Sequence, residues 1–418
     1  MTAATLGAAR IAAFDAAALK AGLRRAERSQ KLHALLLIAP LLLFLALNFV
    51  LPIGSMLFRS IRDPEMTAAM PRTAALLRNL PDGTLPDDRI TAAFVTELRQ
   101  ARETGALSTV ANRLNYDING FRTLLFRTAR QLGPGTSRVT LDELVSIDAR
   151  WGKRETWVAL KHASGPYTSF YLLAAVDRRL TADGAIARTS AEQAIFVDVF
   201  KRTFGVAAVV TVLCLVLAYP IAYLLATVGA RLANLLMVLV LLPFWTSVLV
   251  RTTAWMVLLQ REGIVNGILR RVGLIDDPVQ LIHNRTGVYI AMTYVLLPFM
   301  VLPLYGVMKG VSPLGVRAAL SLGASPFAAF RRVYLPQTLP GITAGCLLVF
   351  ILAIGYYITP ALVGGPDDQL ISYFIAFYTN QTLNWGMAAA LGLVLLAATL
   401  MLYGVYSMLA GTRGLKWR

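Results

Sequence analysis

Long uncharged runs alternate with polar stretches along this chain, and the uncharged runs have the length of membrane spans. On insertion scales a charge at a helix centre costs about 2.5–3.5 kcal/mol, while each Leu or Ile returns only about 0.3–0.6. One charge thus offsets roughly six leucines, so charge-free stretches mark the spans. About 20 residues are needed to cross. Six such stretches are present. The first lies between Lys31 and Arg59. The second runs from Gly205 to about Ala230, and the third from Leu232 to Val250, at its longest through Trp255 to Leu259. The fourth is Thr286 to Met308, the fifth starts near Pro336 and ends near Val363, and the sixth runs from about Met387 to Ala410. Internal Pro40, Pro220, Pro243 and Pro298 would break soluble helices. They are tolerated in a membrane bundle, where neighbours satisfy the freed backbone groups. The pattern predicts an all-α polytopic membrane protein with six transmembrane helices.

Residues 60–200 are a different kind of sequence, polar, mixed in charge and without a run long enough to span. Helical periodicity shows at Ile90, Phe94 and Leu98, and again at Ile118, Phe121 and Leu125. Thr140 with Glu143 reads as a capping box ahead of Leu144 and Ile147. Gly133-Pro134-Gly135 punctuates the last two patterns. A small, mostly helical domain is expected, large enough for its own core and without a catalytic constellation. The expected organisation is a tail at 1–32, a first span at 33–58, a periplasmic insert at 59–202, a five-helix core at 203–410 and a tail at 411–418.

Composition agrees with a bilayer: 56% of residues are hydrophobic and 15% charged, against about 45–50% and 25% in soluble domains. The formal charge is +17. The bases cluster beside apolar runs, which fits the positive-inside rule rather than a nucleic-acid face. The N-terminal tail carries Arg10, Lys20, Arg24, Arg25, Arg28 and Lys31, and the loop after the fourth stretch carries Lys309, Arg317, Arg331 and Arg332 without an acid. The C-terminal tail carries Arg413, Lys416 and Arg418, whereas the loop between the fifth and sixth stretches has Asp367 and Asp368 and no base. With six spans, both termini are expected in the cytoplasm of a bacterial inner-membrane protein. The loop with Arg261, Arg270, Arg271 and Arg285 runs against this rule. A cleaved signal peptide is the weaker reading of the first span, because its apolar run exceeds the usual 7–15 residues or so.

The segment 311–342, VSPLGVRAALSLGASPFAAFRRVYLPQTLPGI, has readable local chemistry. Ser312 suits an N-cap and Pro313 the first helical position. Gly323 suits a C′ residue of positive φ, and Ser325-Pro326 repeats the cap-plus-proline start. Phe327, Phe330, Val333 and Tyr334 fall towards one face, and Leu335-Pro336 is expected to stop this second helix and start the fifth span. The result is two short helices joined by a glycine elbow. Such a loop is too apolar to be merely solvated. Ala318 and Ala319 permit close approach of another backbone, and Arg331 and Arg332 suit lipid phosphates or an acidic partner. Local chemistry leaves two readings open, a docking surface and an amphipathic loop resting on the membrane.

This stretch resembles the EAA loop of ABC importer permeases, whose pattern is Glu-Ala-Ala, three residues, Gly, nine residues, Ile, one residue, Leu-Pro. Here Ala318-Ala319 precede Leu320 to Leu322 and Gly323, and nine residues later come Val333, Tyr334, Leu335 and Pro336. Arg317 stands where the family has Glu, which puts a charge contact through that carboxylate in doubt. Further segments, LLPFWTSVLVRTTAW at 241–255, Gly-Leu-Ile-Asp at 273–276 and GYYITPALVGG at 355–365, are similar to the spermidine/putrescine permease branch. The resemblance implies that the 311–336 loop couples to a cytoplasmic ABC ATPase dimer. It also implies a second permease subunit, a periplasmic substrate-binding protein and alternating access.

No G-x-x-x-x-G-K-[ST] occurs, so ATP is expected to be hydrolysed by a partner subunit, and this chain is expected to bind no cofactor, to hold no metal and not to be an enzyme. After residue 200 the only acids are Glu262, Asp276, Asp277, Asp367 and Asp368, all outside the six stretches. An ion-coupled carrier usually places an ionisable group within the membrane, which argues against secondary transport. A cationic substrate would instead pass over aromatic faces. Trp245, Tyr294, Tyr356 and Tyr357 are the candidates, and Arg251 either marks the path or caps the end of the third stretch. The competing reading is a non-transporting membrane anchor or sensor acting through the insert. The topology makes a test: a single cysteine at position 323 should react with an impermeant thiol reagent only from the cytoplasmic side, and labelling from outside would overturn the assignment.

Overall fold

The computed structural model describes residues 30–31, 33–81, 83–132, 139–181, 184–191 and 193–414, with 409–414 by backbone alone. The tail cations Arg10, Lys20, Arg24, Arg25, Arg28, Lys416 and Arg418, the Arg413 side chain and Gly133-Pro134-Gly135 lie outside the described residues. The chain divides into two units, Met1–Phe58 and Arg59–Arg418. The first contains one apolar helix, α1 (His33–Phe58). It holds a π-helical turn at Ala46–Val50, where Leu51 N–H donates to Ala46 O. That wider turn sits just before Pro52, whose ring would clash with the i−4 carbonyl of a regular helix.

The second unit begins with a helical subdomain. It comprises α2 (Glu65–Ala69), α3 (Pro71–Arg78), α4 (Asp88–Glu103), α5 (Leu107–Asp117), α6 (Phe121–Gln131), α7 (Leu141–Ile147), α8 (Arg154–His162) and α9 (Phe170–Ala174). Strands β1 (Arg178–Leu180) and β2 (Ile186–Arg188) form an antiparallel pair with Arg179 opposite Ala187. Asp87 caps α4 by accepting from Ile90 N–H at 2.8 Å, and Ile90, Phe94 and Leu98 are buried as the periodicity predicts. The capping box is present in both directions, with Glu143 N–H to Thr140 Oγ1 at 3.4 Å and Thr140 N–H to Glu143 Oε2 at 3.3 Å. The second predicted helix is corrected: Ile118 lies outside it, because α5 ends at Asp117 and Gly120, with φ +84, turns the chain before α6 starts at Phe121. Buried Glu97 caps α3 from a distance, accepting from Arg72 N–H at 2.9 Å and Thr73 N–H at 2.8 Å.

The core of this subdomain is aromatic. Trp151 lies 5.0 Å from Phe94, 5.3 Å from Trp157 and 6.3 Å from Phe121 between ring centroids. Both indole N–H groups are satisfied, Trp151 donating to Thr128 Oγ1 and Trp157 to Trp151 O, each at 2.8 Å. Large rings bury much apolar area, and their polar edges must be paired to avoid a desolvation cost.

The remainder is a bundle of α10 (Phe196–Thr227), α11 (Ala230–Leu241), α12 (Val248–Leu259), α13 (Ile264–Arg271), α14 (Arg285–Gly310), α15 (Pro313–Ser321), α16 (Pro326–Ala329), α17 (Leu335–Gly355), α18 (Ile358–Val363), α19 (Ile371–Asn380) and α20 (Trp385–Gly414). Helices α10, α14 and α17 share one buried core through Val210, Cys214, Met292, Met300 and Val349. Gly341 and Gly345, spaced four apart on α17, let it approach α14 closely. A Cβ at Gly345 would sit 2.7 Å from Met300 Sδ, and one at Gly341 3.0 Å from Val307 Cβ. Small residues at this spacing are the usual means of bringing membrane helices into contact.

Among the described residues five helices are long and apolar enough to cross a membrane, and six if one bent pair is counted as a span. That pair corrects the third stretch. Ala230–Trp245 and Val248–Arg271 meet at a 99° bend, because Pro243 opens a 3-10 turn at Leu242–Trp245 and Thr246 and Ser247 are extended. The fifth stretch is also shorter than predicted. Its helix ends at Gly355, and Ile358–Val363 is separate. Pro360 lacks the N–H that a continuous helix would aim at Tyr356 O, whereas in the first turn of a new helix that loss is harmless.

Substituting Trp151→Ala should destabilise the 65–165 subdomain by ~3–5 kcal/mol. Limited proteolysis of the full-length protein would show this as early cutting within that range, with the bundle fragments unchanged.

Candidate functional site

The 311–336 loop is built by local caps. Ser312 Oγ accepts from Leu314 N–H at 3.4 Å, and Pro313 starts α15. At its other end Ala324 N–H donates to Ala319 O and Gly323 N–H to Leu320 O, each at 3.0 Å, with Gly323 at φ +87. These paired bonds close the helix around a left-handed residue. Ser325 Oγ then accepts from Ala328 N–H at 3.3 Å to start α16.

From here the structure departs from the expected stop at Leu335-Pro336. α16 passes through a π turn, Phe330–Tyr334, straight into α17, so that Pro326–Gly355 is one long helix. Leu335 N–H reaches back five residues to Phe330 O. The widened turn takes the carbonyls away from the Pro336 ring, the same solution as before Pro52.

The loop is clamped to the bundle by rings. Phe330 meets Tyr219 at 6.1 Å and Tyr223 at 6.2 Å edge-on, and stacks on Tyr334 at 5.7 Å. Tyr223 meets Tyr334 edge-on at 5.4 Å, and Tyr219 Oη shares a hydrogen bond of 3.2 Å with Thr338 Oγ1. Tyr219 and Tyr223 were not among the predicted site residues. Their signal was available, since 219/223 and 330/334 are both aromatic pairs at i, i+4 spacing, which share a helix face.

Of the predicted loop residues, Arg317, Ala318, Gly323 and Pro336 are exposed, while Ala319, Val333 and Leu335 are half-buried. Leu322 is 88% exposed, Phe327 71% and Leu314 70%. This apolar surface is unusual beside the three free-standing cations Arg317, Arg331 and Arg332. Behind the loop lies a cleft of ≈ 610 Å³ lined by Tyr223, Thr227, Lys309, Ser312, Arg317 and Tyr334.

The predicted path residues fall around the two helix breaks. Thr252 Oγ1 on α12 and Thr359 Oγ1 on α18 are 3.3 Å apart, which joins the two short helices. Arg251 is half-buried, its Nε enclosed without a hydrogen-bond partner. Tyr294 meets Trp255 edge-on at 5.4 Å. Trp245 and Tyr357 are exposed and not in this group. Asp367 and Asp368 belong to a 3-10 turn outside the long helices. There Arg285 Nε donates to Asp368 Oδ1 at 3.0 Å and Arg202 Nη1 donates to Asp367 O.

A family model described as "Binding-protein-dependent transport system inner membrane component" matches residues 218–412. The Haemophilus influenzae spermidine/putrescine transport system permease protein PotB is 36% identical over 208 residues, covering 49% of this chain and 73% of that protein. The chain belongs to this permease family. The Escherichia coli PotB is likewise 36% identical over 201 residues, 48% of this chain and 73% of the relative. The Escherichia coli inner membrane ABC transporter permease protein YdcU is 34% identical over 215 residues, with coverages of 47% and 66%. Among solved structures, a chain of a bacterial alginate ABC transporter aligns at 17% identity and TM-score 0.44, covering 51% of this permease and 78% of that chain. The permease is thus a multi-pass inner-membrane subunit of the ABC importer class, similar to its spermidine/putrescine branch. Residues 59–202 lie outside the family match.

The clamp has a measurable strength. Each aromatic pair is worth about 0.5–1.5 kcal/mol, so Phe330→Ala, which removes three, should speed amide exchange across 313–334 at least ~tenfold. Exchange followed by mass spectrometry on the intact protein would check this, with α14 as the unchanged reference.

Proposed function

We propose that this permease subunit moves a small cation of the putrescine or spermidine class inward, driven by a separate ATPase pair that docks on the 311–336 loop. Its partners in this reading are a cytoplasmic ABC ATPase dimer, a second permease subunit and a periplasmic substrate-binding protein, all assembled at the lipid bilayer. Both termini lie in the cytoplasm, and the 59–202 insert lies outside.

The observation that carries this reading is the continuity of Pro326–Gly355. An exposed apolar loop that ends as the first turns of a membrane helix is a lever: force applied at Leu314, Leu322 or Phe327 is delivered along α17 and, through Phe330 and Tyr334, to α10. Arg317, in the place of the family's Glu, calls for an acidic rather than a basic partner group. The roles given to Ala318, Ala319, Gly323, Val333, Leu335 and Pro336 are to shape this surface.

Substrate selection is assigned to the binding protein. The path around Arg251, Tyr294 and Tyr356 has aromatic faces and no carboxylate. A polyamine gains about 0.5–2 kcal/mol per ring and meets the like charge of Arg251, so it passes without a tight resting site. Trp245 and Tyr357 belong to the flanks of the same route.

Valine at position 323 must adopt the left-handed conformation of a φ of +87, at a cost of about 1–2 kcal/mol. Gly323→Val should therefore abolish co-purification with the cognate ATPase and uptake of labelled putrescine, while membrane insertion is normal. Undiminished co-purification would refute the docking assignment. Normal docking with no polyamine uptake in the wild type would refute the substrate alone.

A further inference from the structure

The stem of the helical subdomain holds a buried charge cluster that transport does not explain. The chain leaves Arg59 as a short extended segment whose partner is the segment before α9. Asp63 N–H donates to Pro166 O at 3.1 Å and Thr168 N–H to Ile61 O at 2.7 Å. Inside this junction Arg113 of α5 donates from Nε to Asp63 Oδ2 at 2.6 Å and from Nη1 to Asp117 Oδ2 at 2.9 Å. Its guanidinium lies 4.3 Å from the Phe170 ring and 5.1 Å from the Tyr171 ring. The Tyr171 ring in turn lies on Gly386 at the start of α20, so closely that a Cβ there would be 2.5 Å away. Arg59 also sits over the Trp385 ring at 5.6 Å. Charge, stem and bundle therefore meet at one place.

The cluster is short of positive charge. One guanidinium faces three carboxylates, those of Asp63, Glu65 and Asp117. Asp63 is fully buried, yet its Oδ1 has no donor, neither has the enclosed Glu65 Oε2, and the unpaired Arg113 Nη2 reaches neither of them. Two acceptor oxygens with no donor between neighbouring carboxyl groups require a proton, because a buried acceptor left unpaired is costly. We propose that Glu65, holding a proton against the unpaired oxygen of Asp63, latches the stem of the subdomain to the N-terminal end of α20, closed while Glu65 keeps that proton and loosened when it leaves.

The surroundings fix the sense. Burial, and then the bond to Asp63, push the Glu65 carboxyl up to about 7, and burial pushes Asp117 up to about 6 against the pull of Arg113. Burial opposes the Arg113 charge, but Asp117, Tyr171 and Asp63 outweigh it and keep the guanidinium protonated. Burial likewise keeps the Tyr171 hydroxyl protonated. A carboxyl that binds its proton more tightly in the closed form favours closure at low pH. That preference is complete below the ordinary value of 4.5 and is lost as the pH rises through about 7. Asp117 acts in the same direction. From pH 6 to pH 8 the closed state should lose about tenfold in population ratio through Glu65 alone.

Amide exchange of the full-length protein in nanodiscs, corrected for intrinsic rates, tests this with peptides covering 60–66, 164–171 and 384–391. Protection in all three is expected to fall about tenfold together between pH 6 and pH 8, and Glu65→Gln is expected to remove most of that fall, leaving only the smaller part from Asp117. Equal protection of the wild type at both pH values would overturn the latch. So would a Glu65→Gln protein that keeps the full pH dependence. Neither readout involves ATPase docking or uptake.

Discussion

Everything mechanical in this bundle depends on a hydrogen bond displaced by one residue. Leu335 N–H bonds to Phe330 O rather than to the carbonyl four residues back, and the helix can then pass Pro336 without a clash. Had the helix stopped at Leu335, as a proline in that position ordinarily demands, α15 and α16 would hang from the bundle on a flexible joint. The π turn makes α16 the first part of a 30-residue rod, with α15 attached to its end through the Gly323 elbow. It also widens the helix where Phe330 and Tyr334 project, which places both rings against Tyr219 and Tyr223.

The features legible in the sequence were those set by local chemistry. The caps at Ser312, Ser325 and Thr140 and the left-handed Gly323 all formed as their residue types require. Five of the six uncharged runs gave long helices for the same reason, since the cost of a buried charge is a property of one residue and its solvent. What the sequence hid was set by backbone geometry around prolines and by partners distant in the chain. The π turn needs a ring clash to be relieved. The 99° bend follows Pro243 and the extended Thr246 and Ser247, which an uncharged run does not register. The capping of α3 by Glu97 joins residues 24 and 25 positions apart. The spacing puts Tyr219 and Tyr223 on one helix face, but the rings that make them a clamp lie more than a hundred positions away.

The helical subdomain follows different rules from the bundle. Its core is made of paired indoles and phenyl rings whose polar edges are satisfied. The bundle core is made of small and flexible residues, with Gly341 and Gly345 against Met300 and Val307. In water the apolar effect rewards large buried rings. Between membrane helices that reward is missing, and close backbone approach takes its place. The stem cluster around Arg113 lies at the border of these two regimes and has the charge that neither core would accept.

The contact between Thr252 and Thr359 has a quieter consequence. Thr252 Oγ1 already donates to Val248 O at 2.8 Å, so Thr359 supplies the proton of the 3.3 Å contact and Thr252 accepts it. The joint between α12 and α18 is therefore a single neutral hydrogen bond, worth about 0.5–1.5 kcal/mol. A buried ion pair in that position would be costly to break, whereas this joint can part at little cost.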